Sequence, residues 1–395
     1  MLSKRNLFLT HLGQTSSEPM LIEIESAKGI WLYGPGGKKY LDLVSGVSVS
    51  NTGHSNSYVV NAIKQQLDRY MHLMVYGELV QSPQVAYAAK LSEVLGNHFE
   101  TVYFVNSGSE AVEGAIKTAR KYTSRSRLVS FRNAYHGSTS GALSLYGDNS
   151  FRSHFMPLVP DTVMAEFNNT ESLEVIDRTV AAVIVEPIQA EAGIIMPENN
   201  FLGEIKERCR ESGSLLIFDE IQTAFGRTGS MFAFEKYPVI PDIICLAKSL
   251  GGGMPLGAFV SSGEIISTLS DNPALGHITT FGGHPVSCAA GLAALEFILD
   301  NKLHLAALEK GRRFRDRLKH EKIMEIRGEG LFLSVRLASE QLAHLFMERG
   351  IKNGLMLDQF LFCRDAFRIS PPLIIENEEI DYAAKTILKT IDEIS

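Results

Sequence analysis

LLIFDEIQTAFGRTG runs from Leu215 to Gly229, and DIICLAKSLGGGMPLGA from Asp242 to Ala258. In the first, four apolar residues, Leu215 to Phe218, deliver Asp219. In the second, Ile243 to Leu246 follow Asp242 and lead to Lys248, with Gly251-Gly252-Gly253 close behind. Short continuous apolar runs closed by turn residues predict parallel strands covered on both faces. Such strands place a carboxylate and a lysine at one edge of a sheet, where open α/β folds keep their sites. A lysine desolvated at a strand end loses its proton more easily and becomes a nucleophile toward carbonyl carbon. Taken singly, Asp219 reads as a helix cap and Lys248 as a loop charge, so the remaining motifs must decide.

The chain has 395 residues, 45% of them hydrophobic and 21% charged, which predicts a soluble globular protein with more than one lobe. Its net charge of −7 and the lack of a basic block argue against a nucleic-acid partner. Cys209, Cys245, Cys288 and Cys363 are scattered without C-x-x-C or ligand spacing, as expected of reduced thiols in a cytoplasmic protein. The stretch NLFLTHLGQTSS is too short and polar for a signal segment, and no apolar run reaches the roughly 20 residues of a membrane span. His54, His72, His98 and His136 read as core or surface histidines, since no metal-binding spacing joins them.

In chain order, residues 1–30 form a weakly patterned arm. The turn Gly34-Pro35-Gly36-Gly37 then sits between two apolar runs, a hairpin signal. Val102 to Val105 reads as a strand, followed by Asn106-Ser107-Gly108-Ser109-Glu110 and a helical pattern. Strand, tight turn and helix start bring free N–H groups and a helix dipole to one point, which suits phosphate. Ser107 and Ser109 offer hydroxyl donors, and Gly108 permits close approach. The plainer alternative is a capping box from Ser107 to Glu110. Leu128 to Phe131 leads into RNAYHGSTSGA, and Ala181 to Val185 into EPIQAEAGI. Beyond Pro285 the pattern predicts helices near 286–299 and 305–318, strands near 323–326 and 331–335, and helices near 340–350 and 377–394. Arg368 lies on a short strand before Pro371-Pro372.

These motifs, in this order from about Gly29 to Pro372, resemble the class III or ω-amino-acid aminotransferases, which use pyridoxal phosphate on the fold type I scaffold. The resemblance implies an α/β fold with a mainly parallel seven-stranded sheet between helices and a smaller α/β lobe. It divides the chain into an arm and strand pair at 1–48, a large cofactor-binding domain at 49–285 and a small domain at 286–395. Lys248 matches the Schiff-base lysine and general base, and Asp219 the partner of the pyridine nitrogen. Gln222 matches the donor to the ring's phenolic oxygen, Tyr135 the ring that stacks on the cofactor, and Ser107, Gly108 and Ser109 the phosphate cup. Thr280, in HITTFGGHP, matches a threonine that reaches the partner subunit's cofactor, which implies a homodimer with shared sites. Arg368 matches the arginine that grips an α-carboxylate, and Glu191 the acid that pairs with it and switches away. Glu186 is expected to be structural.

The expected activity is transfer of an amino group from an ω-amine or amino acid to a keto acid, with glutamate and 2-oxoglutarate as one pair. Length and the short arm lean toward the acetylornithine-like branch. Ser138 stands where many acetylornithine and ornithine enzymes carry arginine, which leaves the donor open; Ala190 and Ala224 replace commoner glycines. The alternatives are an aminomutase on the same cofactor and, from another class, a ligand-sensing module, whose DNA-binding helical domain is not expected in a weakly patterned arm.

Overall fold

A computed structural model describes residues 3–394. Its centre is a seven-stranded sheet in the spatial order Thr101–Val105, Gly257–Ser261, Ile243–Leu246, Leu215–Asp219, Val180–Val185, Arg127–Phe131 and Thr162–Ala165. Gly257–Ser261 runs antiparallel to both neighbours, and the remaining pairs are parallel. The middle strands are buried along their whole length, which is why Val180–Val185 and Leu215–Asp219 read as unbroken apolar runs rather than alternating ones. The α/β fold with a mainly parallel seven-stranded sheet is as the sequence led us to expect.

Helix Gly108–Thr123 lies on one face of the sheet, burying Ala111, Ala115 and Ala119 along one stripe. Its Gly114 passes so close to Phe259 that a Cβ there would sit 2.2 Å from the ring. Helix Pro285–Asp300 begins on the expected proline and packs on helices Ser57–Arg69 and Ser82–Leu95. Strands Trp31–Tyr33 and Lys39–Asp42 pair antiparallel across the predicted turn. Leu355–Met356 joins them in parallel, so residues from both ends of the chain share one sheet. A second small sheet holds Ile323–Glu329, Phe332–Leu337, Ala366–Ile369 and Asp358–Gln359.

The arm contains helix Lys4–His11, which buries none of its residues. No described helix is long and apolar enough to cross a membrane.

Candidate active site

Five parallel strands end at one edge of the central sheet, and their exits carry Asn106–Ser109, Arg132–Ser138, Glu186–Glu191, Asp219–Gln222 and Lys248. There they surround a cavity of about 340 Å³, lined by Ser107, Gly108, Ser109, Tyr135, Asp219, Gln222 and Lys248 among others. Seven of the ten site residues expected from sequence therefore meet in one place. Glu191 and Arg368 lie behind Gln222, outside the lining. Thr280 is exposed, away from the cavity, with its hydroxyl 3.4 Å from that of Tyr76.

One end of the cavity is built for an anion. Ser107 caps helix Gly108–Thr123 by accepting from the Glu110 N–H at 3.2 Å. The Glu110 carboxylate does not close the box on Ser107; it accepts from the Asn106 N–H at 2.7 Å instead. The N–H groups of Gly108 and Ser109, first in the helix, have no partner among the described residues, so the helix presents two donors and its positive end. Gly137, at φ +121°, lies against Ser109, whose Oγ accepts from the Ser138 N–H at 3.1 Å. A Cβ on Gly137 would fall 2.1 Å from that oxygen. A Cβ on Gly108 would meet Ile221 at 2.8 Å.

At the other end Asp219 is buried and accepts from His136 Nδ1–H at 2.7 Å and from the Ile221 N–H at 3.1 Å. A carboxylate as acceptor places the proton on Nδ1, leaving His136 Nε2 buried with no partner among the described residues. His136 thus belongs to the site, contrary to its sequence reading as an ordinary core histidine. The pairing joins residues 83 positions apart, and no local pattern announces it. Beside them Glu186 accepts from the N–H groups of Tyr135 at 3.0 Å and Ala190 at 2.9 Å. Burial pushes its carboxyl up to about 7, opposed by His136.

Lys248 is half-buried on the cavity wall and holds φ +53°, in the left-handed region that non-glycine residues rarely adopt. The turn that follows is anchored by the Tyr87 hydroxyl, which donates to the Leu250 carbonyl at 2.6 Å. Desolvation, reinforced by the charge of Arg368, lowers the Lys248 amine to about 8. An amine so placed keeps a substantial neutral fraction near neutral pH, as a nucleophile or base requires.

Behind the cavity, fully buried Arg368 donates from Nη2 to Glu191 Oε1 at 2.6 Å and from Nη1 to Gln222 Oε1 at 2.8 Å. Gln222 Nε2 donates to the same Glu191 oxygen at 3.0 Å, closing a three-membered network. Burial would raise the Glu191 carboxyl, but Arg368 and Gln222 together bring it below its ordinary value. The guanidinium also lies over the Phe360 ring, 4.8 Å from its centre. Tyr135 meets Tyr146 edge-on at 5.0 Å, the first of a group of rings that continues through Phe151 and Phe362.

The class-III aminotransferase family matches residues 12–391 of this sequence. The chain belongs to that family. It is 40% identical over 379 residues to an acetylornithine aminotransferase from Archaeoglobus fulgidus, covering 96% of this chain and 97% of that one. The corresponding Aquifex aeolicus protein is 36% identical, with 93% and 96% covered. Among solved structures, an ornithine aminotransferase from Toxoplasma gondii superposes with a TM-score of 0.92 at 30% identity, covering 100% of this chain and 96% of that chain. A transaminase from the marine bacterium Virgibacillus gives 0.93 at 26% identity, with 99% and 98% covered. This class-III protein is thus an aminotransferase on the fold type I architecture.

Proposed function

We propose that this aminotransferase works with pyridoxal phosphate and uses glutamate and 2-oxoglutarate as one of its substrate pairs. The observation that carries the cofactor assignment is the anion cradle of Gly108, Ser109 and Gly137 in one cavity with Lys248, whose amine is lowered to about 8, and the Asp219–His136 pair. The donor set suits the group: two free N–H groups for a phosphate, a buried carboxylate for a ring nitrogen, an aromatic side chain for a ring face, and an amine for an aldehyde. When bound, the cofactor supplies the electron sink that stabilises a carbanion at the amine-bearing carbon.

The protein's own groups have distinct tasks. Gly108 and Ser109 hold the phosphate through N–H donors, with the Ser107 and Ser109 hydroxyls close by. Asp219, oriented by His136, keeps the ring nitrogen protonated. Tyr135 covers one ring face. Gln222 is committed here to Glu191 and Arg368, yet it also lines the cavity, so it can report carboxylate binding to the cofactor's phenolic side. With the cofactor bound, Lys248 Nζ would serve as the base that removes the proton from the substrate's amine-bearing carbon and holds it for return. Arg368 holds the α-carboxylate of glutamate once Glu191 turns aside, since a planar fork suits a planar carboxylate.

We place Thr280 at a second subunit's site. It is exposed in the single chain, amid exposed Met71, Met74, Val80, Ile278 and Phe281. The two segments that carry them meet where Phe281 packs on His72 and Thr280 approaches Tyr76, and exposed apolar side chains on such neighbouring segments favour burial against a second copy. The four cysteines are free, three of them buried, which favours a reducing, cytoplasmic setting. The relatives' names point to donors shaped like acetylornithine, and Ser138 leaves that end of the donor unassigned. Replacing Lys248 with Ala tests the chemistry: turnover is lost, whereas unchanged transamination in that variant contradicts the mechanism.

A further inference from the structure

Arg227 is fully buried, and the acceptors of its guanidinium are neutral oxygens. Nη1 donates to the carbonyls of Leu331 at 2.9 Å and Pro371 at 2.6 Å. Nη2 donates to Ser45 Oγ at 3.1 Å and to Asn51 Oδ1. Among the described residues it forms no ion pair, and burial pushes the guanidinium down to about 9, opposed by Asp42 and reinforced by Arg368. A positive charge buried without a counter-charge costs stability that apolar packing at the same position would not.

These contacts join the cavity to the arginine behind it. Ser45 Oγ, which accepts from Arg227, donates to the Ser370 carbonyl at 2.7 Å. Ser370 donates its N–H to the Leu43 carbonyl at 2.7 Å and its hydroxyl to the Val44 carbonyl at 3.2 Å. Ser370 and Pro371 directly follow strand Ala366–Ile369, so the main chain is gripped just beyond Arg368. On the other side, Ser45, Gly46, Val47 and Ser48 run in succession through φ +50°, +61°, +63° and +62°. A left-handed turn is strained in non-glycine residues and persists only where its surroundings hold it. Asp42 Oδ1 holds its start by accepting from the Val44 and Ser45 N–H groups, both at 2.8 Å. Arg227 holds it at Ser45 and just past it at Asn51. Val49, which follows the turn, lines the cavity.

We infer that Arg227 is a positioning residue for the carboxylate site: by clamping the turn before Val49 to the main chain after Arg368, it fixes the depth at which Arg368 stands behind the cavity. This rests on the role given above to Arg368 and adds the residue that sets its place. Exchange of Glu191 for a substrate carboxylate keeps the same two-pronged geometry only if the guanidinium stays where it is, since a planar fork tolerates little displacement. An error of about 1 Å at such a contact can cost on the order of 100-fold in rate. The hydrogen bonds of Arg227 reach none of Gly108, Ser109, His136, Asp219 and Lys248, so loss of the clamp acts on the carboxylate and not on the cofactor.

Two variants provide the test. Arg227→Lys keeps the charge but cannot span all of the acceptors, and Ser45→Ala removes the hydroxyl between Arg227 and Ser370 while keeping the arginine. In Arg227→Lys the KM for L-glutamate rises about tenfold or more while kcat changes less than about threefold, and in Ser45→Ala the KM rises about three- to fivefold. A second readout needs no turnover: the dissociation constant of glutarate, a dicarboxylate that cannot react, measured by calorimetry on the cofactor-loaded protein, rises by the same factors. The dissociation constant of pyridoxal phosphate for the cofactor-free protein moves less than about twofold. An arginine that merely holds the fold would lower the melting temperature and the active fraction, hence kcat, and leave KM and the glutarate constant unmoved; that result overturns the inference. Where Arg227→Lys does not fold, Ser45→Ala alone decides. Arg368→Gln, run alongside, keeps the two conclusions apart. If it leaves KM and glutarate binding unmoved, the carboxylate role of Arg368 falls and the inference with it. If it raises both while the clamp variants do not, only the positioning role of Arg227 falls.

Discussion

Arg368 Nη2 lies 2.6 Å from Glu191 Oε1, and Gln222 bonds to both partners. All three side chains are buried, so the guanidinium is neutralised by Glu191 at the place the proposed function gives to a substrate carboxylate. Such a pair is costly to break by deleting one side, because the charge left behind stays desolvated. Opening it in exchange for a substrate carboxylate keeps the arginine paired throughout. The pair is therefore suited to a site that must accept an α-carboxylate in one half-reaction and an uncharged or cationic group in the other.

Replacing Glu191 with Ala removes the carboxylate that meets Arg368 at 2.6 Å and leaves the guanidinium bonded only to the Gln222 amide, with Asp358 4.0 Å away. The KM for glutamate is expected to change little or fall, while kcat/KM for donors without an α-carboxylate drops at least tenfold. Stability falls by about 3 kcal/mol, as expected when one partner of a buried ion pair is removed. Steady-state kinetics on the two donor types and urea denaturation check both arms.

The lowered amine of Lys248 gives the cofactor-free protein a defined pH signature. Its folded value of about 8 lies below the ordinary 10.5, so between these limits the unfolded chain binds the additional proton. Stability from this group therefore rises with pH across that window, and below pH 8 the full cost of the buried charge is present. Lys248→Met removes that cost. It should stabilise the cofactor-free protein by on the order of 2–3 kcal/mol at pH 7, and by little near pH 10.5. Urea titrations of both proteins at the two pH values measure the difference.

Much of this site can be read in the sequence because the strands that build it are short, apolar, mostly buried and closed by the residues proposed to act there. Asp219 and Lys248 each follow an apolar run directly, and Ser107-Gly108-Ser109 follows another. The network behind them is less legible. Arg368 meets Gln222 across 146 positions and Glu191 across 177, contacts that only the packed lobes create. His136 carries no local sign of its bond to Asp219. Strand Gly257–Ser261, which follows Gly251-Gly252-Gly253 and Pro255, gives no hint from pattern alone that it inserts antiparallel between two parallel strands. Helix Lys4–His11 was invisible as an amphipathic pattern because it buries no face in this chain. Thr280 can be placed by resemblance, yet nothing in a single subunit explains its position.

Gly137→Ala should close the anion cradle. The added Cβ falls 2.1 Å from Ser109 Oγ, and the backbone stands at φ +121°, where a side chain is strained. Cofactor affinity is expected to fall at least tenfold, with about 1–3 kcal/mol of stability lost to the strain. Titration of the cofactor-free protein with pyridoxal phosphate, followed by absorbance, reads the first; thermal melts read the second.

Phe281→Asp places a charge in the exposed apolar surface beside Thr280. Sedimentation should show wild type as a dimer and the variant shifted to monomer, with activity and bound cofactor lost together. A monomeric variant with full activity would contradict shared sites.

The most direct measurement is the absorption spectrum of the purified protein before and after L-glutamate. A yellow band that bleaches to the pyridoxamine form, and returns on adding 2-oxoglutarate, is the predicted result. It would show Arg368 and Glu191 acting as an exchangeable carboxylate site within a complete half-reaction. A protein without a yellow band contradicts the cofactor assignment, and a band that glutamate leaves unchanged contradicts the role given to Glu191 and Arg368.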